Sequence, residues 1–238
     1  MPLIIMPSYT NTILDPYSSN VKLSMHMEGN SLVDSTGRHI FALSSSGAAL
    51  STAQKVVGTQ SLRTNGTENL PVTTPSHDDF DLGSGDWTIE LSVNPLSISS
   101  VGQIMGTWRT GLPYSWGVIS ASGGYCGFCF SVSGAYEPAN DRGTAGVLKL
   151  NTWTRLAFVR YGNTVKMYVD GIFVPFTYGG NTVPSGAILF KSNSVFAIGG
   201  NNDNQKFAGY IDEVRITKGI ARYTAASYEI SPDPFPDV

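Results

Sequence analysis

The chain has 238 residues, 14% of them charged and 41% hydrophobic, with a formal net charge of −3. That length suits one large all-β domain, and without a basic block nucleic acid is not an expected partner, because phosphates need clustered Lys and Arg. No apolar run approaches the ~20 residues of a membrane-spanning helix, so no membrane partner is expected either.

Residues 1–20 hold Pro2, Pro7 and Pro16 and show no periodicity. They read either as a frayed terminus or as an extended arm, since Leu3, Ile4, Ile5, Tyr9, Ile13, Leu14 and Tyr17 are too apolar for a solvated linker. The opening run Met1-Pro-Leu-Ile-Ile-Met-Pro7 lacks the positive leader and long apolar core of a secretory signal. With only Cys126 and Cys129 as cysteines, synthesis in a reducing cytoplasm is the simpler expectation.

From Val21 onward the period is two. Val21, Leu23, Met25 and Met27 alternate with polar residues until Gly29-Asn30, and Trp87, Ile89, Leu91 and Val93 do so until Asn94-Pro95; both read as half-buried antiparallel strands. Residues 153–161 are apolar on both parities and predict a central strand. Val165, Met167 and Val169 alternate up to Asp170-Gly171, a hairpin turn signal. Late strands are expected at 196–199 and 210–217. In the latter, Asp212 shares the parity of Val214 and Ile216, so it is expected on the core side with a hydrogen-bonding or cationic partner. Residues 225–228 read as one short helical turn, and Pro232, Pro234 and Pro236 exclude regular structure at the tail. Turn signals about every ten residues predict a sandwich or barrel. Neither an internal repeat nor a second hydrophobic core is evident, so one domain, 21–238, follows the 1–20 arm. Trp87 and Trp153 are expected in its core, with Ile89, Leu91, Ala157, Val159, Val169, Val214 and Ile216.

Several segments together resemble a known family: Leu23-Ser-Met-His-Met-Glu-Gly29, Asp34-Ser-Thr-Gly37, Gly58-Thr-Gln-Ser-Leu62, residues 79–91, Trp153-Thr-Arg-Leu-Ala-Phe-Val-Arg160, Met167-Tyr-Val-Asp-Gly171 and residues 209–224. In order and spacing they resemble a laminin-G-like jelly roll of the concanavalin A-like lectin/glucanase superfamily. The ending Gly-Ile-Ala-Arg-Tyr-Thr and the Asp15-Pro-Tyr17 lead-in resemble the variety found in bacteriophage virion proteins and related bacterial surface proteins. The resemblance implies an all-β, two-sheet antiparallel jelly roll and a role in binding more often than in catalysis.

A retaining glucanase needs two carboxylates flanking the scissile bond, and the enzyme branch of this superfamily carries them on one strand in a Glu-x-Asp-x-x-Glu or similar pattern. The acidic strand Ile211-Asp-Glu-Val214 lacks a Glu two positions before Asp212, so no catalytic residues are assigned and the chain is expected not to be an enzyme. Some relatives bind calcium at the sandwich rim. Glu28, Asp34 and Asp212 are the oxygen donors that fall in family segments, although no cofactor is required. Asn201-Asn-Asp-Asn204 reads as a polar turn. Cys126-Gly-Phe-Cys129 has redox spacing but lies in a strand-like segment, where residues three apart face opposite ways, so buried free thiols are expected.

Sugar sites set aromatic rings against apolar sugar faces, with amides and carboxylates for the hydroxyls. Trp108, Arg109, Tyr114, Trp116, Tyr125, Tyr136, Asn140 and Asp141, with Glu137 and Arg142 nearby, fall in the Gly-rich middle of the chain, whose irregular pattern predicts long loops suited to binding. For each aromatic the alternative is core or interface packing. The sequence reading is therefore a bacteriophage virion protein, a capsid decoration or a tail or fibre component, with a lectin-like domain that attaches to host-surface glycan. The arm would contact other virion proteins, and a homo-oligomer, a trimer by analogy with other appendages, is expected. The rival readings are a purely structural virion stabiliser and a polysaccharide-degrading enzyme.

Overall fold

The computed structural model describes residues 14–108, 113–236 and 238. Its strands are β1 (Val21–Met25), β2 (Ala42–Leu43), β3 (Ala48–Ser51), β4 (Ser61–Asn65), β5 (Val72–Thr74), β6 (Trp87–Pro95), β7 (Gly102–Gly106), β8 (Trp116–Ala121), β9 (Tyr125–Phe130), β10 (Arg142–Thr144), β11 (Thr154–Tyr161), β12 (Thr164–Val169), β13 (Ile172–Val174), β14 (Phe196–Ile198) and β15 (Ala208–Lys218). One sheet runs β13-β12-β11-β6-β15-β4-β3 and the other β10-β9-β8-β7-β14-β5-β2. β15 is long enough for two partners on one edge: Ala208–Ile211 pair with β4 and Val214–Thr217 with β1. Among the described residues, helix is limited to 3-10 turns of three residues. The expected turn at 225–228 does not form; Ser227 bridges to Ile172 instead.

The period-two pattern does what it predicts. Trp87, Ile89, Leu91 and Val93 of β6 and Leu156 and Phe158 of β11 face Trp116, Val118, Phe128, Phe130 and Phe196 of the other sheet. Trp87 and Phe128 meet with ring centroids 4.9 Å apart. Trp153 departs from expectation: it is only half-buried, at the start of β11 and 6.5 Å from the Tyr210 ring.

A second apolar cluster, not expected from the sequence, lies on the outer face of the first sheet. Ala157, Val159 and Tyr168 pack there against Phe173, Ala221, Tyr223 and Tyr228. The C-terminal segment crosses that face, which explains why β11 is apolar on both parities. Tyr223 and Tyr228 stack at 3.6 Å, and the Tyr168 hydroxyl donates to the Ala225 carbonyl at 2.7 Å.

β15 also corrects the expected facing of Asp212. A bulge between Asp212 and Arg215, with Glu213 at φ 50°, breaks the register against β6. An extra residue in one strand reverses parity beyond it. Ile211 and Val214 therefore both reach the core, while Asp212 lies opposite Ser92, and Arg215 opposite Glu90, on the outer face.

Candidate functional site

On β8 and β9 the inward residues are Trp116, Val118, Cys126, Phe128 and Phe130. The outward residues Ile119 and Cys129 help line a groove of about 260 Å³. Trp108, just after β7, and Tyr114, just before β8, lie against each other with centroids 4.5 Å apart at 45°. Gly117 is what lets Trp108 approach, since a Cβ there would stand 3.2 Å from Trp108 Cβ and 3.3 Å from Cys129 Sγ. Tyr136 adds a third ring, 6.0 Å from Trp108 and 6.2 Å from Tyr114. Val101, Asp141, Asp203 and Gln205 complete the wall.

The loop carrying Tyr136 is held by Glu137, whose carboxylate accepts from the Val132 amide (2.9 Å), the Ser133 hydroxyl (2.5 Å) and Asn140 Nδ2 (2.5 Å). Burial would raise this carboxyl, but those donors together hold it below its ordinary range. The Tyr114 amide donates to the Gly134 carbonyl at 2.9 Å, tying the loop to the strand beside it. The tyrosine presented this way is 54% exposed.

Asp141 is one of two carboxylates that line the groove. Its Oδ2 accepts from the Tyr136 hydroxyl at 3.1 Å, whereas its buried Oδ1 has no hydrogen-bond partner. Burial raises the carboxyl, outweighing the Tyr136 hydrogen bond and the Arg142 charge. Burial, with Asp141 alongside, also pushes the Tyr136 hydroxyl up to about 12. Arg142 turns the other way: its guanidinium lies 4.8 Å from the Phe130 ring centroid and donates to the Thr182 carbonyl at 2.9 Å.

Of the residues singled out in the sequence, Trp108, Tyr114, Tyr136 and Asp141 are thus brought together. Tyr125 borders them, its ring laid across the paired strand residues Gly127 and Gly143, where any Cβ would collide with it. Trp116 is corrected to the core: it is fully buried and its Nε1 donates to the Phe80 carbonyl at 2.7 Å. Asn140 serves the loop scaffold. Arg109 lies outside the described residues. Sequence reasoning missed Gln205 and Asp203. The polar turn at 201–204, which contains Asp203 and leads into Gln205, was the available signal: Asn201 Oδ1 accepts from the Asp203 amide at 2.9 Å and the Gln205 amide at 3.3 Å.

The rim carboxylates Glu28, Asp34 and Asp212 are not brought together as a calcium set; each is occupied by a different turn. Glu28 accepts from the Thr59 and Gln60 amides at 2.6 and 3.1 Å. Asp34 accepts from the amides of Ser24, Thr36 and His39, each at 3.1 Å. Asp212 accepts from the Val56 amide at 2.9 Å and the Glu213 amide at 3.0 Å. Burial leads in raising the Asp212 carboxyl to about 7, helped by the Glu213 charge and opposed by the amides. Among the described residues, the ligand atoms close enough to share a cation are those of His39, His77 and Asp79. There Arg38 already grips Asp79 through Nε (2.5 Å) and a terminal nitrogen (2.9 Å). A cation would have to displace that guanidinium.

A second cleft, about 140 Å³, lies between the outer face of the first sheet and the chain's own residues 229–236. Glu90, Glu213 and Arg215 are held within the chain there, and Glu229 and Asp233 also line it. Glu90 binds Arg215 at 2.7 and 2.9 Å and accepts from the Tyr223 hydroxyl at 2.6 Å, and Glu213 accepts from the Phe235 amide at 2.7 Å. The groove at Asp141 is the one that brings together Trp108, Tyr114 and Tyr136 from the aromatic residues the sequence singled out.

Residues 64–221 match the family described as the concanavalin A-like lectin/glucanases superfamily. No curated protein sequence matches the chain. Among solved structures, the botulinum neurotoxin serotype G binding domain has a TM-score of 0.63 at 15% identity, with 87% of this chain and 49% of that one covered. The chain thus spans about half the length of that toxin domain. Domain 4 of AbnA, an extracellular arabinanase from Geobacillus stearothermophilus solved with arabinotriose, has a TM-score of 0.55 at 20% identity, covering 85% of this chain and 94% of that domain. Trypanosoma rangeli sialidase, solved with sialic acid, has a TM-score of 0.58 at 16% identity, covering 84% and 31%. At these identities the likeness is one of fold.

Proposed function

We propose that this chain, which belongs to the concanavalin A-like lectin/glucanases superfamily, is a non-enzymatic module that binds glycan in the groove formed by Trp108, Tyr114, Tyr136, Asp141 and Gln205. The observation that carries this reading is a groove that sets the exposed Tyr136 ring and the half-buried Tyr114 ring, backed by a buried Trp108, beside the Asp141 carboxylate. Rings take the apolar face of a sugar, and the carboxylate takes its hydroxyls. Arabinotriose in the AbnA domain lends support from a fold relative. A glycan array, followed by calorimetry on the best oligosaccharide, tests it. Tyr136→Ala should weaken binding at least about tenfold; no glycan retained, or binding indifferent to Tyr136, would overturn the reading.

The same reading holds that the chain does not hydrolyse polysaccharide. The carboxyl with the strongly raised affinity for a proton, Asp212, is occupied by backbone amides and does not line either cleft. Its biological setting, in this proposal, is a bacteriophage particle, attached through the N-terminal segment and assembled as a homo-oligomer. Support comes from the Asp15-Pro-Tyr17 and Gly-Ile-Ala-Arg-Tyr-Thr segments and their resemblance to virion proteins. Electron cryomicroscopy of purified particles tests this part, and particles that lack the chain would refute it.

A further inference from the structure

We infer that the groove selects sugars bearing an ammonium group over their neutral or acidic counterparts; this rests on the glycan-binding reading above and specifies its ligand class. Among the described residues that line the groove, two are carboxylates, Asp141 and Asp203, and none is Lys, Arg or His. Arg142, next to Asp141 in the chain, is committed to the Phe130 ring and to the Ala139 and Thr182 carbonyls. Within the groove, the Asp141 charge is met by a single hydroxyl, and Oδ1 has no donor.

Burial raises the affinity of this carboxylate for a proton, and the Tyr136 hydrogen bond and the Arg142 charge do not offset it. An ammonium group beside the Tyr136 hydroxyl would donate to Oδ2 and bring the missing charge. Tyr114 and Tyr136, the rings that are not buried, contribute in the same sense, because their negative faces attract cations. A C2 hydroxyl or acetamido group can donate a hydrogen bond but brings no charge. A sialic or uronic acid would place a second carboxylate beside Asp141, at an electrostatic cost.

Calorimetry on the full chain with three β-1,4-linked tetrasaccharides isolates this effect. Glucosamine, N-acetylglucosamine and glucose tetramers share a backbone and differ at C2. At about pH 6 and low salt, the glucosamine tetramer should bind at least about tenfold tighter than either neutral one. Asp141→Asn should bring the three within about twofold, and Tyr136→Ala should weaken all of them. Because Tyr136 is exposed, the second variant keeps the test decisive if the first does not fold. Neutral tetramers binding as well as the amine would overturn the inference while leaving glycan binding intact. An amine preference that survives both substitutions would mean diffuse attraction to an acidic chain and would also overturn it. Failure of all three to bind overturns it as well, and the array then decides the broader reading separately.

Discussion

Asp15 and Arg215, 200 positions apart in the chain, form a buried ion pair at 2.7 Å. Arg222 joins the same Asp15 oxygen at 2.8 Å, and Arg215 continues to Glu90. The Arg215 guanidinium also lies 3.9 Å from the Phe235 ring centroid. The lead-in Asp15-Pro-Tyr17 and the Gly219-Ile-Ala-Arg-Tyr223 turn are therefore two halves of one network. It fastens residues 15–20 and the C-terminal segment to β15 and β6. Residues 1–13 lie outside the described residues.

This relationship changes what truncation should do. From the sequence, a chain beginning at Val21 is expected to stay folded, because the strands start there. The network instead predicts that losing Asp15 strands two buried guanidinium groups with one carboxylate. Breaking such a buried set costs about 3–5 kcal/mol. Denaturant unfolding should show Asp15→Ala and a chain beginning at residue 21 destabilised by that order, and a chain beginning at residue 14 intact. A change below about 0.5 kcal/mol in Asp15→Ala would show that the network contributes no net stability.

The network also sets an acid limit. Burial alone would raise the Asp15 carboxyl, but the Arg222 hydrogen bond, the Tyr17 amide and both guanidinium charges hold it below its ordinary range. A depressed carboxyl stabilises the fold above its unfolded value, about 4, and that contribution fades as pH falls through the folded value. Wild type minus Asp15→Ala stability should therefore shrink in acid and be constant from about pH 5 to 8.

Asp212 has the opposite sign. Raised to about 7, its carboxyl holds a proton in the folded chain that the unfolded chain has released. Stability from this group is present below about pH 4 and is lost as pH rises through about 7. Asp212→Asn should cancel that slope, so the stability difference between wild type and variant should change across pH 4–7 and flatten above it. A difference independent of pH would show that the amides of Val56 and Glu213 keep Asp212 ionised.

Both thiols should be slow to react. Burial pushes Cys126 up to about 12 and Cys129 well above its ordinary value, so little thiolate exists near pH 8. Labelling should track unfolding. Fast modification of Cys129 alone would mean that the groove opens to its floor.

Gly143→Ala tests the seat of Tyr125. A Cβ there would strike the Tyr125 ring and come within 2.7 Å of the Cys126 carbonyl oxygen. A loss of about 1–3 kcal/mol is expected, against less than about 0.5 at Gly85→Ala, where nothing lies within 4 Å. Equal effects at both positions would show that Tyr125 moves aside freely.

Alternation determined the sheets: the run Trp87, Ile89, Leu91, Val93 needed only period two to mark its buried face. The clustering of Trp108, Tyr114, Tyr136 and Asp141 was legible as composition, but the irregular stretch read as long loops holds strands β8 and β9 between those residues. What period could not supply was a bulge. Glu213 looks like any strand residue, yet its left-handed backbone moves Asp212 to the outer face and brings Ile211 inward. Nor could local pattern separate Trp116 from Trp108; a strand start just at Trp116 sends it inward, while Trp108 lies over Gly117 on the opposite face. The Asp15–Arg215 pair was the least legible of all. Charge pairing across 200 residues depends on which segments the sheets bring side by side, and only the assembled fold decides that.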